Sequence, residues 1–276
     1  MTTTDNAPAV SALDAATRMD AVTLRVGDLE NMTSYYESAL AVHPIEERSV
    51  GNEVYRVLGR GSVPFVRLIA TPNLPAVDHR QAGLFHTAWL FDTKEALAAT
   101  VYRAARDGRS RFVGSADHLV SEAFYFTDPE GNGIELYWDR PRSEWTWRDG
   151  EVAMDTLFLD PNAYLQEHLS ERGVADVETQ AGRVGHVHLQ VGDLRRAQEF
   201  YVDALGFAPT LGSYRGALFT SAGGYHHHIA MNTWNSGGAG PPGGKPGAGE
   251  RGHHRARSSR AGRHDRATAV QGARLC

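Results

Sequence analysis

The chain has 276 residues, with 28 Lys+Arg against 33 Asp+Glu and a formal net charge of −5 at pH 7. That length allows two small domains or one large one, and 41% hydrophobic with 22% charged residues places it among globular chains able to build a core. No apolar run reaches the roughly 18–20 residues that span a bilayer, and the single cysteine, Cys276, excludes an intrachain disulfide or a Cys-x-x-Cys zinc site.

Residues 1–18 are polar, lack the basic-then-apolar pattern of a secretory signal, and are expected to be disordered in a cytoplasmic protein. Residues 22–40, VTLRVGDLENMTSYYESAL, open with alternating apolar residues, a strand pattern. Gly27-Asp28 follows, with Asp28 placed as a helix N-cap, then Leu29, Met32, Tyr36 and Ala39 at helical spacing. Val54–Leu58 and Phe65–Ile69 read as strands around a Gly- and Pro-containing turn, Leu84–Phe91 as a strand, and Lys94–Arg106 as a helix. Ala123–Thr127 and Gly133–Trp138 are strands joined by the turn Asp128-Pro129-Glu130-Gly131-Asn132-Gly133. Strand, helix and strands thus occur twice over residues 19–140. Residues 141–183 form a connector with a helical stretch near Asn162–Glu171.

The pattern restarts at Val184. Residues 187–205, VHLQVGDLRRAQEFYVDAL, match residues 22–40 at nine of nineteen positions, the signature of an internal repeat. A strand at His227–Thr233 follows. Residues 237–276 carry eight basic and two acidic side chains, ten glycines, and no Phe, Tyr, Trp, Ile or Met. Such a segment buries too little apolar area to offset chain entropy and is expected to be disordered. Its abrupt start after Trp234 and its Arg/Gly/Ala/Pro/His richness point to a frameshift; a nucleic-acid-binding arm is the alternative. Residues 1–236 carry −11, which argues against a nucleic-acid partner for the body.

Histidines mark the second half. His186, His188 and Gln190 alternate on one face of GHVHLQV, and His226, His228, Ala230 and Asn232 on one face of YHHHIAMNT. If both strands line one curved sheet, imidazoles converge. Two histidines and a carboxylate with positions left open is the arrangement for non-haem Fe(II) oxygen chemistry. By spacing alone, ordinary polar strand residues are an equal reading.

VTLRVGDL, HTAWLF, DPEGNGIELYW, GHVHLQVGDL and GGYHHHIAMNTW together resemble the vicinal oxygen chelate (glyoxalase/bleomycin resistance/dioxygenase) superfamily, most of all its two-domain extradiol catechol 2,3-dioxygenases, over about residues 19–235. The resemblance implies an α+β fold of paired βαβββ modules forming half-barrels, in two similar domains. The first is expected at 19–140 with a degenerate site, and the second at 184–236, incomplete, with the metal site. Matching by motif puts metal ligands on His186 and His228, the latter opening a fourth module. The expected third ligand, a Glu in a Gly-Asn-Gly-x-Glu context, is found only in the first half, at Glu135; Glu250 has no strand around it. In the first half the counterparts are Ala21, His86 and Glu135. Ala21 cannot ligate a metal, so His86 and Glu135 read as scaffold, and His118 as a loop hydrogen-bonding residue.

The resemblance further implies cleavage of a catechol-like diol with O2 at Fe(II), with Mn(II) as the alternative metal and room for a homo-oligomer. His226 is the first candidate for acid/base work, and Tyr225 or His227 the reserve. Better-known members carry the corresponding His on an earlier strand, where this chain has Ala217-Leu218-Phe219. The other functions weighed are a metal-dependent glyoxalase-type lyase or isomerase, a non-catalytic small-molecule-binding protein, and a chain inactivated by its altered C-terminus.

Overall fold

In the computed structural model, the described residues are 12–240 apart from 52 and 74; the rest of the N-terminal segment and of the basic tail lie outside them. Residues 12–18, expected to be disordered, are mostly exposed but make specific contacts with the body. Ala12 N–H donates to the Gly206 carbonyl at 2.9 Å, and Thr17 is buried.

Three βαβββ units follow in chain order. The first is β1 (Val22–Val26), α1 (Leu29–Leu40), β2 (His43–Val50), β3 (Glu53–Arg60) and β4 (Val63–Ala70). The second is β5 (Gly83–Phe91), α2 (Lys94–Arg106), β6 (Arg111–Asp117), β7 (Ser121–Thr127) and β8 (Gly133–Asp139). The connector holds the short strands β9 (Trp147–Arg148), β10 (Glu151–Val152) and β11 (Leu157–Phe158), then α3 (Pro161–His168) and α4 (Glu171–Ala175). The third unit is β12 (Gly182–Gln190), α5 (Leu194–Gln198) continuing through a π turn at Glu199–Ala204, β13 (Ala208–Leu211), β14 (Ala217–Ser221) and β15 (Ile229–Asn232). No helix among the described residues is long and apolar enough to cross a membrane.

The repeat arises from local chemistry. Asp28, Thr93 and Asp193 each accept from a backbone N–H in the first turn of the following helix, at Asn31, Ala96 and Arg196. Each satisfies one of the amides a helix start leaves without a partner. In every unit the first strand pairs parallel to the fourth, giving the order first-fourth-third-second.

The assembly of units departs from the expectation. The first unit forms its own four-stranded sheet, β1-β4-β3-β2. The second and third share one nine-stranded sheet, β11-β6-β7-β8-β5-β12-β15-β14-β13, joined where β5 runs antiparallel to β12. The half-barrel is therefore built across the expected domain boundary. Ile229–Asn232, expected to open a fourth unit, closes the third. It is bonded to β12 on one side and β14 on the other. One face of the shared sheet carries Trp89, Phe91, Ile134, Leu136, Val187 and Leu189 into the main apolar core, which also takes in Tyr36, Leu97 and Val101 of the helices. The first unit docks onto the second through that core and through Glu130, whose carboxylate accepts from the N–H groups of Gly27 and Asp28.

β8 lies tight against β5, with Gly133 opposite His86. A Cβ on Gly133 would sit 2.1 Å from the Phe85 carbonyl oxygen and 2.8 Å from His86 Cβ. Backbone is the obstacle, so the strands would have to separate. Gly133→Ala is expected to cost about 1–3 kcal/mol, the usual range for overpacking, measured as a lowered urea midpoint.

Candidate active site

The concave face of the shared sheet gathers side chains from β5, β8 and β12. His86 and His186 stand at the same spacing before the N-caps of α2 and α5, so they are equivalent residues of two units. The antiparallel register sets His86 opposite His188 and Ala88 opposite His186, which brings the equivalent histidines to either side of a local two-fold. Glu135 of β8 lies opposite Ala88 and so joins them.

The three side chains are buried, with ligand atoms all within 4.8 Å of one another. Glu135 Oε2 is 2.8 Å from His86 Nε2 and 3.1 Å from His186 Nε2. The contact to His86 is not aligned as a hydrogen bond, which leaves His86 Nε2 a buried ring nitrogen without a partner. Two imidazole nitrogens and a carboxylate oxygen converging on one point, one nitrogen unsatisfied, are a donor set that suits a divalent transition metal. By the two-fold, the counterpart of Glu135 is the residue opposite His188 on β15, which is Ala230. Among the described residues the group offers three side chains that could hold a metal.

His86 and Glu135, expected to be scaffold, thus stand beside His186, whereas His228 is not in the group. Its Nδ1 accepts from the Ala222 N–H at 3.2 Å, and its ring packs on Tyr225 at 4.9 Å between centroids. Neighbouring residues along an extended chain project to opposite sides. His227, rather than His228, lines the cavity, with its ring 4.1 Å from that of His186. His226 is fully buried and bonded to Asp139 at 2.8 Å, and Tyr225 donates to the other Asp139 oxygen at 2.8 Å. Neither lines the cavity.

That cavity holds about 450 Å³, with Phe85, Phe126, Ile134, Phe219 and Trp234 among its walls. It also contains a polar pair absent from the candidates read from the motifs. His118 Nε2 and the Tyr125 hydroxyl are 2.7 Å apart, and His118 Nδ1 is 2.7 Å from the Asp155 carbonyl oxygen. A carbonyl accepts only, so His118 carries its proton on Nδ1 and Tyr125 donates to Nε2. Tyr125 faces Glu135 across the β7–β8 pairing, a period-2 relation that could have flagged it. His188 is held aside by the Asn232 amide, 2.9 Å from its Nε2.

Charge is finely opposed here. Burial would raise the Glu135 carboxyl, but the imidazoles of His186 and His86 outweigh it and hold the group well below the usual carboxylate range. Burial lowers His186 despite Glu135, and burial with neighbouring imidazoles drives His188 and His227 well below the ordinary 6.5 and His228 to about 3. Burial, reinforced by Glu135, pushes the Tyr125 phenol well above 10, so it keeps its proton.

Comparison with known proteins agrees with this architecture. A family model for the Glyoxalase/Bleomycin resistance protein/Dioxygenase superfamily matches residues 18–136 and 183–265. A protein of Bacillus subtilis (strain 168) named catechol-2,3-dioxygenase is 43% identical over 175 residues, 61% of this chain. The chain spans about 60% of that relative's length. Glyoxalase I from Zea mays shares the fold at 18% identity and a TM-score of 0.50, over 80% of this chain and 69% of that one. The chain belongs to the Glyoxalase/Bleomycin resistance protein/Dioxygenase superfamily.

The lowered histidines set a pH dependence. Below 6.5 the unfolded chain binds more protons than the folded one at His186, His188, His227 and His228, so stability falls as pH drops through that value, and His228 continues to contribute down to about 3. Glu135 acts in the same direction at lower pH, since the stability it adds above 4.5 is lost as pH falls toward its depressed folded pKa. Urea midpoints of the metal-free protein are expected to decline steadily from about pH 7 to about pH 5. A flat profile would contradict the buried neutral histidines.

Proposed function

We propose that the chain is an extradiol-type dioxygenase that opens a catechol-like aromatic diol with O2, using Fe(II) held by His86, Glu135 and His186. The observation that carries this reading is the ligand set: two imidazoles and one carboxylate, with Ala230 where the two-fold would put a second carboxylate. The name of the Bacillus relative supports it. A glyoxalase-type lyase reading calls for carboxylates from both units, and Ala230 argues against it. A cytoplasmic protein with a small aromatic diol and O2 as its partners belongs to the same proposal.

A ferrous ion held by His86, Glu135 and His186 would supply Lewis-acid activation of the diol and a route for electron density between ring and O2. The protein's own residues do the rest. Glu135 balances part of the metal charge in a buried setting where an unpaired cation would be costly. Phe85, Phe219 and Trp234 offer an apolar slot for the ring and keep water out. His227, packed on His186, is the wall imidazole placed to take a diol proton. Tyr125, with its hydroxyl anchored by His118, is a neutral donor on the opposite wall. These roles replace the motif-based preference for His226 and for His228 as a ligand.

His86→Ala, Glu135→Ala and His186→Ala are each expected to weaken Fe(II) binding by more than the about 10–100-fold typical of losing an indirect partner. Each should also abolish the yellow ring-fission product from catechol in air. His228→Ala should retain both. His227→Ala should keep its iron while turnover falls by about 10²–10⁴-fold. Iron analysis beside the absorbance assay decides the matter. Loss of iron in His228→Ala but not in His86→Ala would return the site to the motif-derived pair.

A further inference from the structure

We infer that Asp139 and His226 are positioning residues that fix the tautomer and orientation of His227 on the cavity wall. The inference rests on the dioxygenase reading above only for the use made of His227; the hydrogen-bond chain stands by itself. Asp139 ends β8, four residues beyond Glu135 and at the rim of the shared sheet. Its Oδ2 accepts from the Tyr225 hydroxyl at 2.8 Å, and Tyr137 stands behind Tyr225 with the two hydroxyl oxygens 2.7 Å apart. Its Oδ1 lies 2.8 Å from His226 Nε2. His226 Nδ1 in turn lies 2.7 Å from His227 Nδ1.

The donors can be assigned along this line. An ionised carboxylate only accepts, so His226 Nε2 carries a proton. His226 is fully buried among the rings of His186, His227, Tyr137 and Trp145, and a 2.7 Å contact between two ring nitrogens has room for one proton. With its own proton turned to Asp139 at Nε2, His226 offers a lone pair at Nδ1, and the proton in the short contact belongs to His227 Nδ1. What remains to His227 is a lone pair at Nε2. An imidazole restricted in this way is an acceptor whose geometry does not have to be found anew at each turnover. The logic matches the way a buried carboxylate selects a histidine tautomer in hydrolytic triads. Here the selection passes through an intervening imidazole. Neither Asp139 nor His226 lines the substrate cavity or belongs to the three grouped ligands, and His226 meets them only through an edge-on contact with the ring of His186.

The test is two-bond ¹H–¹⁵N NMR of the histidine rings of the full chain, with and without Zn(II) as a diamagnetic occupant. The His227 signals are assigned by their loss in His227→Gln. The wild-type protein should show His227 protonated at Nδ1. Asp139→Asn, whose amide can donate to His226, should populate the Nε2-protonated form of His227, leave Zn(II) binding unchanged, and lower catechol turnover by about 10²-fold or more with KM little altered. Tyr225→Phe, which removes the second bond to Asp139 and the contact with the Tyr137 hydroxyl but leaves the His226 bond, should keep the wild-type tautomer. An Nε2-protonated His227 in the wild-type protein overturns the inference even if Asp139→Asn does not fold. So does an Asp139→Asn protein with an unchanged tautomer. If the wild-type protein takes up iron but leaves catechol intact, the dioxygenase reading fails, while the ring spectra still decide the relay.

Discussion

The antiparallel pairing of β5 with β12 is the contact on which the site depends. It joins two βαβββ units that are separated in the chain by the whole connector, and its register sets which side chains meet. A slip by one residue would turn His86 and His186 to opposite faces. The pairing is secured from both sides. Trp89, Phe91, Val187 and Leu189 are buried on the helix side. Gly133 admits β8 close enough to β5 to bring Glu135 into the group.

The same pairing collects an uncommon density of buried polar groups. Eight rings and carboxylates from His86, Glu135, His186, His188, His226, His227, His228 and Asp139 lie around one end of the sheet, seven of them buried by accessibility. Buried polar groups cost free energy unless each finds a partner. Most are paired here: His188 with Asn232, His228 with the Ala222 amide, and His226 with Asp139 and His227. The shortfall is concentrated at His86 Nε2 and His186 Nδ1. That the unsatisfied atoms fall on the two histidines beside Glu135 separates these from the other histidines of the sheet.

Much of the local structure was legible in the chain. The Asp28 and Asp193 caps, the amphipathic helices after them, and the turn at Asp128–Gly133 follow from residue type and spacing, because caps and turns are decided by neighbours in sequence. β2, β6, β13 and the short β9–β11 were not read as strands, and β14 entered only through the family resemblance. His43–Val50 is nearly all exposed and carries Glu46, Glu47 and Arg48, an edge strand without apolar alternation. Ala217–Ser221 is buried throughout and shows no alternation for the opposite reason.

The site was legible in its parts and not in its grouping. His86, Glu135, His186 and the histidine triplet all stand out in the sequence as residues able to carry chemistry. Matching each half of the chain to a family pattern divided them, assigning His86 and Glu135 to a degenerate domain and pairing His186 with His228. Sequence by itself determined that one unit recurs, with its capped helix and alternating strands, since these depend on interactions within a few residues. That Ile229–Asn232 closes the third unit, where a fourth was expected to open, was decided by strand pairing. Which unit pairs with which was decided only by the tertiary structure. An edge-to-edge strand pairing depends on register and on cores built from distant segments, and neither leaves a local signal.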